Sequence, residues 1–205
     1  MTSSAHNLTQ RFPKRRAFIT GAASGLGLAC AESLAREGWQ LFLTDVDAGR
    51  LDLVTQSFRR DGAQVMSSPC DVRDAAAVQA VVDAAVEVAG GIDVAIHCAG
   101  VSVAGRFHET SPEDWDWCFD INVSGVANSC RAVIRHMARG PGGLIINIAS
   151  VAGFCAGPQM SAYNASKAAV EVCAIPKLAA KPRCAGPSFW PCVNTVSPLR
   201  MSSPL

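Results

Sequence analysis

The sequence has no apolar run long enough to span a bilayer, and Met1 to Pro13 lacks the apolar core of a secretory signal. It also has almost no excess charge, the formal net charge being +1. That argues against a broadly basic surface for nucleic acid or membrane. The trio Lys14-Arg15-Arg16 reads as the solvated start of a strand. None of the nine cysteines is paired at C-x-x-C spacing, and their number is odd. Neither a disulfide framework nor a zinc site is expected, and no metal ligands are assigned. Cysteines in apolar patterns behave as small hydrophobes, so a reducing cytoplasm fits best. What the chain has in quantity is apolar side chains, 49% of its 205 residues. That excludes a disordered chain and supplies a sizeable core for one domain. Residues 1–14 read as a flexible N-terminal tail, and 15–205 as a single domain whose last part, 172–205, is irregular.

Short apolar runs alternate with helical patterns. Strands are predicted at Arg16–Thr20, Gln40–Thr44, Gln64–Ser67, Ile92–His97 and Gly143–Ala149, with a sixth at Val193–Val196. Helices are predicted at Leu26–Glu37, Ala48–Arg60 and Ala75–Val88, and from Pro112 to about Arg139. Another should start at Ser161. Pro176, Pro182, Pro187 and Pro191 follow it, and proline breaks a helix interior, so it should fail near Ile175. Leu-Ile-Ile-Asn-Ile, apolar nearly throughout, is the pattern of a strand buried on both faces. The expected fold is therefore α/β, a Rossmann-type doubly wound parallel sheet with helices on both faces and incomplete C-terminal elements.

Between the first strand and its helix lies Thr20-Gly21-Ala22-Ala23-Ser24-Gly25-Leu26-Gly27. Glycines allow the tight turn and let the backbone approach a pyrophosphate without a Cβ in the way. The next helix offers unpaired N–H groups and the positive end of its dipole. Asp45 closes the second strand. A carboxylate there can accept hydrogen bonds from a ribose diol and repels a 2′-phosphate. The glycine loop holds no Arg or Lys, so NAD is preferred over NADP. The structural alternative is that Asp45 or Asp47 caps the next helix.

Tyr163 and Lys167 are four residues apart and share a helix face. A free phenol, with a pKa of about 10, is a poor base at neutral pH. A nearby ammonium favours the phenolate. Ser150 ends the fifth strand, where ligands bind in open parallel sheets, and its hydroxyl can hydrogen-bond a carbonyl or alcohol. Any Y-x-x-x-K alone is weak; the serine before it and the cradle upstream give it weight.

From about Arg15 to Glu171 the chain resembles the short-chain dehydrogenases/reductases, with a further patch at Val193–Pro198. The motifs that carry this are Thr20–Gly27, Asp71-Val72, Ala99-Gly100, Asn122-Val123-Ser124-Gly125, Ile148-Ala149-Ser150 and Tyr163-x-x-x-Lys167. The resemblance implies a catalytic set: Tyr163 as acid/base, Lys167 on the nicotinamide ribose and lowering the tyrosine pKa, Ser150 on the reacting carbonyl, and Asn122 holding a relay water. It implies a cofactor set of Gly21, Ser24, Gly25, Leu26, Gly27, Asp45, Asp71, Val72, Ala99, Gly100, Tyr163 and Lys167, with Asp71 on the adenine. The function implied is an NAD(P)-dependent oxidoreductase moving a hydride between cofactor and a secondary alcohol or ketone. Val101–Phe107 and Val151–Met160 would line the substrate pocket, with Phe154 and Met160 facing an apolar body. The family is usually homo-oligomeric.

The chain departs from the family in two places. His97-Cys98-Ala99-Gly100 stands where the family has Asn-Asn-Ala-Gly, so sheet-tying hydrogen bonds are lost or replaced, and His97 reads as a satisfied strand-end histidine. Beyond Glu171 the pattern is truncated or disrupted: Leu199 replaces an expected Gly, and the substrate-covering loop, seventh strand and final helix are not recognisable. An impaired subunit interface and disorder over Pro176–Leu205 are expected. The alternative function is thus an inactive nucleotide-binding remnant.

Overall fold

The strands lie in the order β3-β2-β1-β4-β5-β6 in one sheet. They are β1 (Arg16–Thr20), β2 (Gln40–Asp45), β3 (Val65–Pro69), β4 (Val94–His97), β5 (Gly143–Asn147) and β6 (Val193–Val196). The computed structural model describes residues 8–172 and 193–196. The first five strands are parallel. The sixth pairs antiparallel with β5, Ile145 opposite Asn194. The sixth strand was expected at these residues, with no direction assigned to it. The free edge of β5 can pair with an extended segment in either direction, and an antiparallel edge strand on a parallel sheet is common.

All five residues of β1 and all four of β4 are buried, as two-sided strands require. Successive side chains feed opposite faces. Phe18, Phe42, Ala95 and Ile145 enter one core cluster with Val82 and Val133, and Ile19, Leu41, Leu43, Val94 and Ile96 enter the other with Ala31, Leu34 and Leu51. Each buried large apolar side chain contributes about 1.5–3 kcal/mol. Helices α2 (Gly25–Arg36) and α3 (Ala48–Arg60) cover one face; α4 (Ala75–Ala89) and α6 (Val126–Met137) cover the other. Asp47 caps α3 by accepting from the Arg50 N–H, and Asp74 caps α4 by accepting from Ala76 and Ala77. Ser111 caps α5 (Pro112–Phe119), which has Pro112 in its first turn.

Three expectations need correction. The helix expected from Pro112 to about Arg139 is not uniform: Asp120–Gly125 is a π-helical turn between α5 and α6, which ends at Met137. Where a loose tail was expected, Leu8–Arg11 forms a short helix, α1, and Leu8 and Phe12 pack against the core. Arg16 is not solvated; it is buried against Asp93 in a bidentate ion pair, Nη2 to Oδ1 at 2.7 Å and Nε to Oδ2 at 3.0 Å. Its Nη1 donates to the carbonyls of Ala89 and Gly90. The last helix, α7, spans Ser161–Val172. Its expected failure near Ile175, and the disorder expected over Pro176–Leu205, lie outside the described residues except for β6.

The chain runs from β1 outward to β3, then returns to the other side of β1 as β4. The order reverses there, so a crevice opens beyond the carboxyl ends of β1 and β4.

Candidate active site

The loop leaving β1 lines that crevice. Gly21 and Gly25 have φ of +65° and +53°. A Cβ on Gly21 would lie 2.7 Å from the Ala99 nitrogen, and one on Gly27 would collide with the Gly21 carbonyl. A Cβ on Gly25 would meet nothing within 4 Å, because that glycine faces open space. Ser24 precedes α2 with extended backbone and makes no side-chain cap bond, so the first-turn N–H groups of α2 are not capped by it. The loop is tied to β2 by the Ala22 N–H on the Thr44 carbonyl and the Ala23 N–H on Asp45 Oδ2, 2.9 Å. Asp45 Oδ1 accepts from the Asp47 N–H. Asp47, not Asp45, caps the next helix. Each Asp45 oxygen therefore retains accepting capacity for a diol.

A cleft of about 450 Å³ runs along the loop, lined by Gly21, Ser24, Gly25, Leu26, Gly27, Asp45, Asp71, Val72, Ala99 and Gly100 among others. Val72 sits against Gly125 of the π turn, where a Cβ would lie 2.5 Å from its Cγ2. Asp71 is gripped by Arg73, a residue with no role in the sequence reading. The Arg73 hydrogen bonds hold the Asp71 carboxyl below the usual carboxylate range.

Tyr163 and Lys167 share α7, and the turn that Ser150 caps rests against that helix. Ser150 caps a single 3-10 turn, Val151–Gly153, its Oγ accepting from the Ala152 N–H and leaving the hydroxyl hydrogen to donate. Gly153 lies against α7, where a Cβ would be 2.9 Å from the Ala168 nitrogen and 3.0 Å from the Lys167 carbonyl carbon. Lys167 is 7% exposed, and burial lowers its pKa. Its Nζ donates to the Ile148 carbonyl at 2.8 Å and stands 5.7 Å from the centre of the Tyr163 ring. The same Nζ would be 3.5 Å from a Cβ on Gly100, so the cleft and the Tyr163–Lys167 pair meet at that glycine. Tyr163 is the only tyrosine in the chain.

Asn122 is fully buried, and its side chain does not reach Lys167. Its Oδ1 accepts from the Val101 N–H at 2.8 Å, and its Nδ2 donates to the Val101 carbonyl and to Ser166 Oγ, both at 2.9 Å. Ser166 in turn donates to the Tyr163 carbonyl. Sequence reasoning missed Ser166; a buried serine inside the Tyr-Asn-Ala-Ser-Lys helix was the available signal.

His97 differs from its expectation. Nδ1 meets Asn147 Oδ1 at 2.8 Å, bridging β4 to β5, but Nε2 has no partner among the described residues. Burial lowers its pKa to about 4, so it is neutral. Burial also pushes the Cys98 thiol up to about 12. No group of three or more side chains able to hold a metal occurs among the described residues. Nor is any helix among them long and apolar enough to cross a membrane.

Residues 15–175 match the family of short chain dehydrogenases. The chain belongs to that family. It is 37% identical over 153 residues to 2,3-dihydro-2,3-dihydroxybenzoate dehydrogenase of Bacillus subtilis (strain 168), covering 75% of this chain and 59% of that protein. It is 38% identical over 157 residues to D-threitol dehydrogenase of Mycolicibacterium smegmatis, covering 77% and 60%. Among solved structures it resembles a short-chain dehydrogenase/reductase from Burkholderia phymatum in complex with NAD. The TM-score is 0.74 at 43% identity, covering 76% of this chain and 56% of that one. NAD+-bound xylitol dehydrogenase gives a TM-score of 0.76 at 33% identity, covering 78% and 62%. The chain thus spans about three fifths of the length of the curated relatives it matches.

Proposed function

We propose that this dehydrogenase-family chain binds NAD in preference to NADP and transfers a hydride between it and a secondary alcohol or ketone with an apolar body. The observation that carries this reading is the position of Lys167, between the glycine-lined cleft at Gly100 and the Tyr163 ring. The cleft fits a dinucleotide: Gly21 lets the loop pack against the Cys98–Ala99 backbone, Gly25 faces open space, and Asp45 keeps accepting capacity. Gly21, Ser24, Gly25, Leu26 and Gly27 would hold the pyrophosphate, Asp45 the ribose diol, and Gly100 and Lys167 the nicotinamide half. Bound there, the cofactor would supply or accept the hydride.

The chain's own residues manage the proton. For carbonyl reduction, Ser150 donates a hydrogen bond to the substrate oxygen and Tyr163 gives that oxygen its phenolic proton; alcohol oxidation reverses the transfer. Lys167 places its ammonium beside the phenol, where positive charge stabilises the phenolate left behind. Asn122 and Ser166 fix α7 to the loop after β4 and so hold Tyr163 in place.

The substrate class follows from the walls. Residues 98–105 and 148–166 carry no charged side chain. The two segments are joined by a bridge between Gly105 and Met160. Val151 and Phe154 are exposed on the second segment, and Phe107 lies just past the first, beyond Arg106. Apolar surface there favours an apolar substrate body.

Calorimetric titration tests the cofactor preference. NADH should bind more tightly than NADPH, and Asp45→Ala should narrow the gap; equal or reversed affinities overturn the preference. Tyr163→Phe should reduce turnover by at least about a hundredfold while NADH affinity stays within about twofold. Substantial turnover by that variant would assign the proton to another group. NADH binding without turnover by the unaltered chain would leave nucleotide binding alone.

A further inference from the structure

Cys98 takes the place of the second asparagine in the family's Asn-Asn-Ala-Gly, just past β4. Its N–H donates to the Thr20 carbonyl at 3.2 Å, which ties it to the end of β1. It lies two residues beyond Ile96, so its side chain feeds the same face of the sheet, the one covered by α2 and α3. Cys30 is on α2, one turn after Gly27, where that helix closes onto the Gly21 carbonyl. Both cysteines pack against one core cluster, and both are half-buried and free. The Cys98 thiol donates a hydrogen bond to the Cys30 sulfur, so the two side chains touch across the gap between helix and strand end. Neither thiol takes part in the hydride or proton transfer.

The pair joins two walls of the cleft. Cys98 itself lines it, and a Cβ on Gly21 would lie 2.9 Å from the Cys98 carbonyl carbon. The first turn of α2 forms the facing wall, with Gly25, Leu26 and Gly27. A sulfur–sulfur bond, about 2.05 Å, is much shorter than any hydrogen bond between thiols. Closing it draws α2 towards Cys98 across the glycine loop, and the packing of Gly21 on Cys98 and Ala99 leaves that loop no slack.

We propose that Cys30 and Cys98 form a reversible disulfide that distorts the glycine loop and so weakens dinucleotide binding. The effect on binding rests on the reading that the cleft takes a nicotinamide dinucleotide. The oxidant is a low-molecular-mass disulfide. Burial raises the Cys30 thiol, and the hydrogen bond from Cys98 opposes that rise, so Cys30 is the attacking group. Its thiolate attacks one sulfur of the small disulfide and expels one small thiolate. Cys98 then gives up its proton, its sulfur attacks that of Cys30, and the second small thiol leaves. Two protein thiols are oxidised to one disulfide, and the small disulfide is reduced to two thiols.

The test equilibrates the unaltered chain and C30A in buffers of oxidised and reduced glutathione, with and without saturating NADH. Acid quenching, alkylation and peptide mass mapping identify the pairs, and calorimetry measures NADH affinity. The unaltered chain should yield a peptide joining Cys30 to Cys98. Its NADH affinity should fall by between about fivefold and a hundredfold and recover with dithiothreitol. By reciprocity, saturating NADH should raise the oxidant ratio needed for half conversion by that same factor. C30A should bind NADH within about twofold of the reduced, unaltered chain and keep that affinity in the oxidising buffers. Absence of the joined peptide would overturn the proposal. So would a joined peptide with unchanged NADH affinity, or an equal loss in C30A, which would place the effect on other thiols. A reduced chain that binds no NADH, while the joined peptide still forms, would instead remove the nucleotide reading, and the proposed effect with it.

Discussion

Asp93 and His97 bracket β4 and govern stability in different ways. Asp93 neutralises a buried guanidinium whose Nη1 donors are engaged by the Ala89 and Gly90 carbonyls. Asp93→Ala would leave Arg16 charged and without its partner at 4% exposure, a change that costs about 3–5 kcal/mol. Denaturant unfolding of the variant should show that loss, with slope unchanged. A cost below about 1 kcal/mol would mean that Arg16 swings into water. His97 acts through pH. Its folded pKa, about 4, lies below the ordinary 6.5, so the unfolded chain binds the proton more readily. Its contribution is fully present above about pH 6.5 and is lost as pH falls towards 4, about 3 kcal/mol across that window. Comparing unfolding free energies at several pH values should show this slope in the unaltered chain and a flatter one in His97→Asn. Parallel slopes would show that other groups carry the acid sensitivity.

At the scale of elements, one contact sets the site: the 3-10 turn after β5 rests on α7 at Gly153. Gly153→Ala would force its methyl onto the α7 backbone at Lys167 and Ala168, a rigid neighbour. The turn and helix must separate, at a cost of about 1–3 kcal/mol. Because Ser150 rides on the turn and Tyr163 on the helix, turnover should fall by more than NADH affinity does. Steady-state kinetics beside NADH titration checks this; equal losses in both would place the damage in the cleft. The strands were legible because burial on both faces forces continuous apolar runs, and the cradle because its glycines stand between a strand and a helix. The π turn was not: Asp-Ile-Asn-Val-Ser-Gly is consistent with an ordinary helix, and only its packing on Val72 and Asn122's reach to Val101 distinguish it. The burial of Arg16 was hidden because its partner is 77 residues away. The direction of β6 was hidden because an edge strand's own residues fit either orientation.

Over the whole molecule, the sheet separates two ends. The Arg16–Asp93 clamp and its carbonyl partners pin β1 to β4 at the amino ends of the strands. The open cleft and the Tyr163–Lys167 pair lie at the carboxyl ends. Clamp and cleft are thus at opposite poles of the same two strands, so substitutions at the clamp should alter unfolding without altering NADH affinity. The solitary tyrosine has a further consequence, in labelling chemistry. Any reagent selective for phenols has one target in the chain, and that target is half-buried beside Lys167. With the thiols first reversibly blocked, nitration with tetranitromethane should add a single nitro group, abolish turnover in step with its incorporation once the thiols are restored, and slow when NADH is bound. A nitrated chain that keeps its turnover would separate the phenol from the chemistry. In an intact, folded preparation, the nitro mass increment of the whole protein would then report the modification of one ring.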